Sequence, residues 1–112
     1  MSKGVETGFS EHARLTPYEQ FVAENWTGPR TIEYAAIAMG GEAGEVLNEI
    51  KKEMRDNTHR QELVRDELGD TLHYLTHLAR LYGYSLEDIM AANVQKLMRR
   101  DAAKMSVCGQ EA

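Results

Sequence analysis

Apolar residues recur at helical spacing through most of this chain, and no stretch alternates convincingly enough to make a strand. Thr16-Pro17-Tyr18-Glu19 has the spacing of a capping box with proline at the first helical position, so a short helix should run from there to about Trp26. Gly28-Pro29 then breaks the chain. From about Thr31 to Arg55, Ile32, Ala35, Ala36, Met39, Val46, Leu47, Ile50 and Met54 predict a long second helix. Asp56-Asn57-Thr58-His59 reads as a turn. A third helix follows from about Arg60 to Tyr82, with Val64, Leu68, Leu72, Leu75 and Leu78 inward and Gly83 as its stop. Ser85 caps a fourth helix that should end near Lys104 and pack through Ile89, Val94, Leu97 and Met98. Gly40, Gly41 and Gly44 weaken the second helix by roughly 1 kcal/mol each, and close packing or function could explain them equally well. Residues 1–12 and 106–112 are expected to be flexible ends around one all-α domain, 13–105.

On a wheel of about 100° per residue, Ile32, Met39, Val46, Ile50 and Met54 share one face of the second helix. Glu42, Glu45, Glu49 and Glu53 line its border, while Glu33, Lys51 and Arg55 point to water. On the third helix Val64, Leu68, Leu75 and Leu78 face the core, and Arg65, Gly69, Thr76 and Arg80 face solvent. His73 leans the same way. Glu67 and Asp70 lie on the border beside Tyr74 and His77. Folding this hairpin about Asn57 sets Glu45, 12 residues before it, near Glu67, 10 after it; Glu42 and Asp70 are 15 before and 13 after. The two acidic pairs are therefore level, roughly 15–20 Å from the turn. A single Glu-x-x-Glu is usually an ordinary surface feature. Two level pairs at the edge of a core repel one another and lose hydration, which calls for protonation, pairing with Lys or Arg, or bound cations. The metal reading is favoured, and hard oxygen donors without cysteine suit Mg²⁺ or Mn²⁺.

The 112 residues make one domain. A formal charge of −5 argues against binding a nucleic-acid polymer, though not against a nucleotide held through metal ions. Cys108 is the only cysteine, so no internal disulfide forms. The N-terminus has no apolar signal-peptide core, and no apolar run of about 18 residues could span a membrane, so a cytoplasmic location is expected. The helical stripes give a thin core for this length. The expected architecture is therefore antiparallel helix hairpins forming a four-helix-bundle core completed by dimerisation, with a homodimer or homotetramer as the assembly.

Three segments in order resemble the MazG-like nucleotide pyrophosphohydrolases. Gly41-Glu42-Ala43-Gly44-Glu45-Val46 resembles the family's Glu-x-x-Glu, and Asp66-Glu67-Leu68-Gly69-Asp70 its Glu-x-x-Asp, with 21 residues between Glu45 and Glu67. Asn93-Val94-Gln95-Lys96-Leu97 with Arg100 resembles the stretch that follows. The resemblance covers about residues 16–101. It implies an enzyme that hydrolyses a nucleoside triphosphate between the α- and β-phosphates, with Glu42, Glu45, Glu67 and Asp70 holding Mg²⁺. Glu45, furthest from the core face, is the nominee for general base. Asn93, Lys96 and Arg100 become phosphate-binding candidates, and Lys52 a further one. Against this, cations near a helix C-terminus also complement its dipole, which is the preferred reading of Arg99 and Lys104. Trp26 could stack on a base or anchor the first helix in the core, with equal weight. In this family helices pair between subunits, so a site can borrow residues from a neighbour. Some compact single-domain members act on deoxynucleotides, and a purine deoxynucleoside triphosphate is the expected substrate.

Two rival readings compete. A di-iron carboxylate bundle needs Glu-x-x-His on two helices, and the chain offers only Asp70-x-x-His73. A non-enzymatic helical dimerisation or adaptor module accounts for the amphipathic helices but not for the level acidic pairs.

Overall fold

A computed structural model describes residues 14–111, with side chains to Lys104. The described residues form four helices and no strand: α1 (Pro17–Asn25), α2 (Ile32–Asp56), α3 (Gln61–Leu81) and α4 (Leu86–Glu111). The expected flexible segment 1–12 lies outside the described residues. The helix α4 continues past Lys104, so the tail expected at 106–112 is helical up to Glu111.

The helix ends follow local chemistry. Thr16 and Glu19 form the capping box, with Glu19 N–H donating to Thr16 Oγ1 at 3.1 Å and Thr16 N–H donating to Glu19 Oε1 at 3.0 Å. Ser85 and Asp88 exchange the same pair of bonds at the start of α4, at 3.0 and 2.9 Å. Both turns use a left-handed residue: Asn57 (φ 50°) after α2 and Gly83 (φ 86°) after α3. Beyond Gly83 the Tyr84 N–H returns to the Ala79 carbonyl at 2.9 Å, which satisfies the end of α3.

The helices α2 and α3 pack as an antiparallel hairpin, α1 lies on α3, and α4 leaves the open end of the hairpin. The turn is clasped by charge. Arg60 Nε donates to Glu49 Oε2 at 2.7 Å, and the Arg60 backbone N–H donates to Glu53 Oε2 at 2.7 Å. The Arg60 guanidinium holds the Glu49 carboxyl below its ordinary range. Two members of the α2 acidic strip are thus taken up in fixing the start of α3, where the cap residue itself makes no side-chain cap.

Complete burial is concentrated near the open end. The buried apolar side chains among the described residues are Val22, Trp26, Ala35 and Ala79. Buried with them is Glu19, whose second oxygen accepts the Leu86 N–H at 2.8 Å. One carboxylate therefore serves the N-termini of α1 and α4, each bond to it contributing about 1.5–3 kcal/mol.

Several inferred faces are corrected. Thr76 and Arg80, placed towards solvent by the wheel, are buried, because α1 and the segment after it cover that side of α3. His73 is half-buried with its ring 5.4 Å from that of Trp26, instead of leaning to water. Leu68 is 54% exposed and Met54 80% exposed, since none of the described residues covers these parts of the hairpin's apolar face. Ile89 meets Met39, Leu75 and Leu78 along one apolar groove, but the packing expected of Val94, Leu97 and Met98 is absent among the described residues, where every residue from Met90 to Lys104 is exposed. No described helix is long and apolar enough to cross a membrane.

At the centre of the buried end His77 lies flat on Trp26, with ring centroids 3.5 Å apart and planes within 10°. Both ring nitrogens are buried without hydrogen-bond partners. Burial, reinforced by the nearby charges of Arg80, Arg30 and His73, lowers its pKa from 6.5 to about 4. Above pH 6.5 the ring is neutral whether folded or unfolded. Below that, the unfolded chain takes up a proton that the folded chain refuses until about pH 4. Acidification from pH 6.5 to 4 should therefore lose on the order of 3 kcal/mol through this residue, and His77→Phe should remove that part of the pH slope in urea melts. An unchanged slope in the variant would mean that His77 does not carry it.

Candidate metal and nucleotide site

The hairpin register brings Glu42 of α2 to Glu67 and Asp70 of α3. One carboxylate oxygen from each lies within 4.8 Å of the other two. Glu67 and Glu42 are half-buried and Asp70 is exposed. Partial burial, a hydrogen bond shared with Glu42 and the charges of Glu42, Asp70 and Glu45 push the Glu67 carboxyl above its ordinary range. Glu45, one turn from Glu42, is exposed and stands outside the close trio, although its charge reaches Glu67.

These residues fit a hard divalent cation. Three anionic oxygens converge from two helices, and Lys52, Arg55, Arg60, Arg65 and Arg100 pair with Glu49, Asp56, Asp66 and Asp101 and not with this trio. A dication offsets the lost hydration and the repulsion that together raise the Glu67 pKa, and oxygen donors suit Mg²⁺ or Mn²⁺. No histidine joins the trio, and His73 is turned to Trp26, so the Asp70-x-x-His73 spacing builds no di-iron half-site.

The other candidates are placed less closely. Lys52 pairs with Glu49 at 3.6 Å, on the turn side of the trio. Asn93, Lys96 and Arg100 are exposed on the projecting α4, where Arg100 lies 3.6 Å from Asp101. Trp26 is 7% exposed. Its Nε1–H donates to the Gly28 and Pro29 carbonyls at 2.7 and 3.2 Å, and His77 lies on its ring. Of the two roles open to it, the anchor is the one its packing serves here.

Two tyrosines lie near the acids, of which sequence reasoning placed Tyr74 and missed Tyr18. Tyr18, from α1, has its hydroxyl pKa raised by burial and by Asp70. Tyr74 is raised by burial, Tyr34, Glu42 and Asp70. Tyr74 had a signal, one turn beyond Asp70 on the same helix. Tyr18 had none, because α1 reaches the site only through tertiary packing.

The crowding of negative charge makes a prediction. Glu67→Gln should raise the melting temperature of the metal-free protein at neutral pH, since it removes the carboxyl that the folded state disfavours in its charged form. Mg²⁺ or Mn²⁺ should raise the melting temperature of the unsubstituted protein more than that of the variant. Equal metal-induced shifts would remove Glu67 from the ligand set.

A model of the MazG nucleotide pyrophosphohydrolase domain matches residues 30–104. The uncharacterized protein YvdC of Bacillus subtilis (strain 168) is 33% identical over 92 residues, covering 82% of this chain and 85% of that protein. The gene 37 protein of Mycobacterium phage L5 is 31% identical over 74 residues, covering 62% of this chain and 65% of that protein. No solved structure gives a significant match. With the domain matched over most of the folded region and a relative aligned along most of both chains, the chain belongs to the MazG nucleotide pyrophosphohydrolase family.

Proposed function

We propose that this protein is a Mg²⁺-dependent nucleoside triphosphate pyrophosphohydrolase that converts an NTP or dNTP, with a purine dNTP favoured, to the monophosphate and pyrophosphate. The observation that carries this reading is the convergence of Glu42, Glu67 and Asp70 from facing helices, within a chain of this family. Water adds to one phosphorus as the P–O bond between the α- and β-phosphates breaks, and one proton is released.

The divalent ions, held by Glu42, Glu67 and Asp70 with Glu45 at the margin, would neutralise triphosphate charge and lower the pKa of a bound water. The chain's residues supply the rest. Glu45, exposed and outside the trio, is free to take the proton from water. The hairpin fixes the carboxylates before substrate arrives, so little reorganisation is needed at the moment of reaction. Lys52 would have to leave Glu49 to reach a phosphate.

The protein works, in this reading, as a homodimer or homotetramer. Ile37, Leu47 and Met54 are 76, 69 and 80% exposed on α2, and Val94 and Met98 are 55 and 66% exposed on α4. Soluble monomers rarely leave so much apolar surface uncovered. A second copy would cover it and bring the Asn93, Lys96 and Arg100 of its α4, exposed in the single chain, towards the phosphates. The adaptor reading explains these faces equally well but gives the carboxylate trio no task.

Incubation with each common NTP and dNTP plus Mg²⁺, resolved by ion exchange, should give monophosphate and pyrophosphate in equal amounts. Release of orthophosphate with a diphosphate, or no turnover of any of them, would refute the activity. The melting temperature should also rise with protein concentration. An active monomer of the chain mass, 12.7 kDa, in light scattering at micromolar concentration would refute the assembly.

A further inference from the structure

We infer that Tyr34 and Tyr74 receive the nucleoside half of the substrate, the sugar beside Tyr74 and the base on Tyr34. This rests on the reading that the carboxylate trio takes the phosphates. The trio divides the hairpin into two unlike ends. On the turn side lie the Glu49–Arg60 clasp and an open groove lined by Ile50, Val64 and Leu68 with charged neighbours, without a ring or a hydroxyl. On the other side the α2 and α3 surfaces become aromatic.

Position along the helices sets the order. Tyr74 is four residues beyond Asp70, about 6 Å further up the hairpin, and Tyr34 is eight residues before Glu42, about 12 Å up. A nucleotide with its phosphates at the trio would therefore meet Tyr74 first and Tyr34 second, as sugar and then base. A phenol hydroxyl offers a donor and an acceptor to sugar or base, and its ring offers a stacking face.

Trp26 is the buttress of this surface. Tyr34 and Tyr74 both stand edge-on to it, at 6.5 and 5.7 Å between centroids and 85° and 90° between planes. A Cβ added at Gly28 would meet Trp26 at 3.3 Å and Tyr34 at 3.4 Å, so the loop between α1 and α2 also presses on the pair. Tyr34 nevertheless remains 41% exposed, while Trp26 is enclosed. The ring that is open to a base is the tyrosine, and the ring that holds it is the tryptophan.

Titration calorimetry with Mg²⁺ present tests this, using deoxynucleoside monophosphates and inorganic pyrophosphate as separate probes. Tyr34→Ala should weaken monophosphate binding about 10- to 100-fold. Tyr34→Phe, which keeps the ring, should stay within about threefold. Tyr74→Leu should weaken the same probes, and pyrophosphate affinity should hold in all three variants. Circular dichroism and melting curves check the fold, and Tyr34→Leu replaces Tyr34→Ala if the latter unfolds. Monophosphate affinity unchanged in the alanine or leucine variant, or pyrophosphate affinity lost in parallel, overturns the inference. If the wild-type protein still cleaves nucleotides to pyrophosphate in that case, only this assignment fails. If it cleaves none, the functional reading fails and takes this one with it.

Discussion

The antiparallel register of α2 against α3 is the constraint on which the rest depends. Glu42 and Glu67 stand 25 positions apart in the chain, and they meet only because the turn at Asn57 folds the helices back at one height. A left-handed Asn57 and the two bonds from Arg60 to Glu49 and Glu53 hold that turn. A slip by one residue would rotate the α3 acids by about 100° away from Glu42. The clasp therefore does more than close a loop, because it sets the distance between carboxylates that repel one another.

The chain divides its tasks between its ends. The open end buries a small, polar-rich core: Trp26 on His77, and Glu19 serving two helix starts. The hairpin and α4 carry apolar residues that the described residues leave uncovered. Rigidity at the first end and incompleteness along the second suit a site whose carboxylates come from one chain and whose phosphate-binding cations are proposed to come from another. In that proposal the missing core and the missing cations have the same source, which links assembly to activity.

Local chemistry made much of this legible in advance. The capping box at Thr16 and Glu19, the stop at Gly83 and the cap at Ser85 each act over a few residues, so spacing alone revealed them. The level placement of Glu42, Glu67 and Asp70 followed from helical rise and the turn. The faces of α3 were harder to read. A wheel records which residues share a side, but not that α1 would lie across Thr76 and Arg80 and make that polar side an interior one. Glu49 and Glu53 share the border strip with Glu42 and Glu45, and spacing does not show that Arg60, on the far side of the turn, engages them.

By itself the sequence determined the all-α class, the helix boundaries to within a few residues except at the end of α4, and the pairing of acids across one hairpin. These depend on interactions within a helix or across a single short turn, where chain spacing and spatial distance are tied together. Tertiary structure decided that Trp26 is enclosed by histidines, that Tyr18 approaches Asp70, that Tyr34 and Tyr74 both stand against Trp26, and that Glu19 bonds to Leu86, 67 residues away. Those contacts join elements whose relative placement is set by packing of whole surfaces, which residue spacing does not encode.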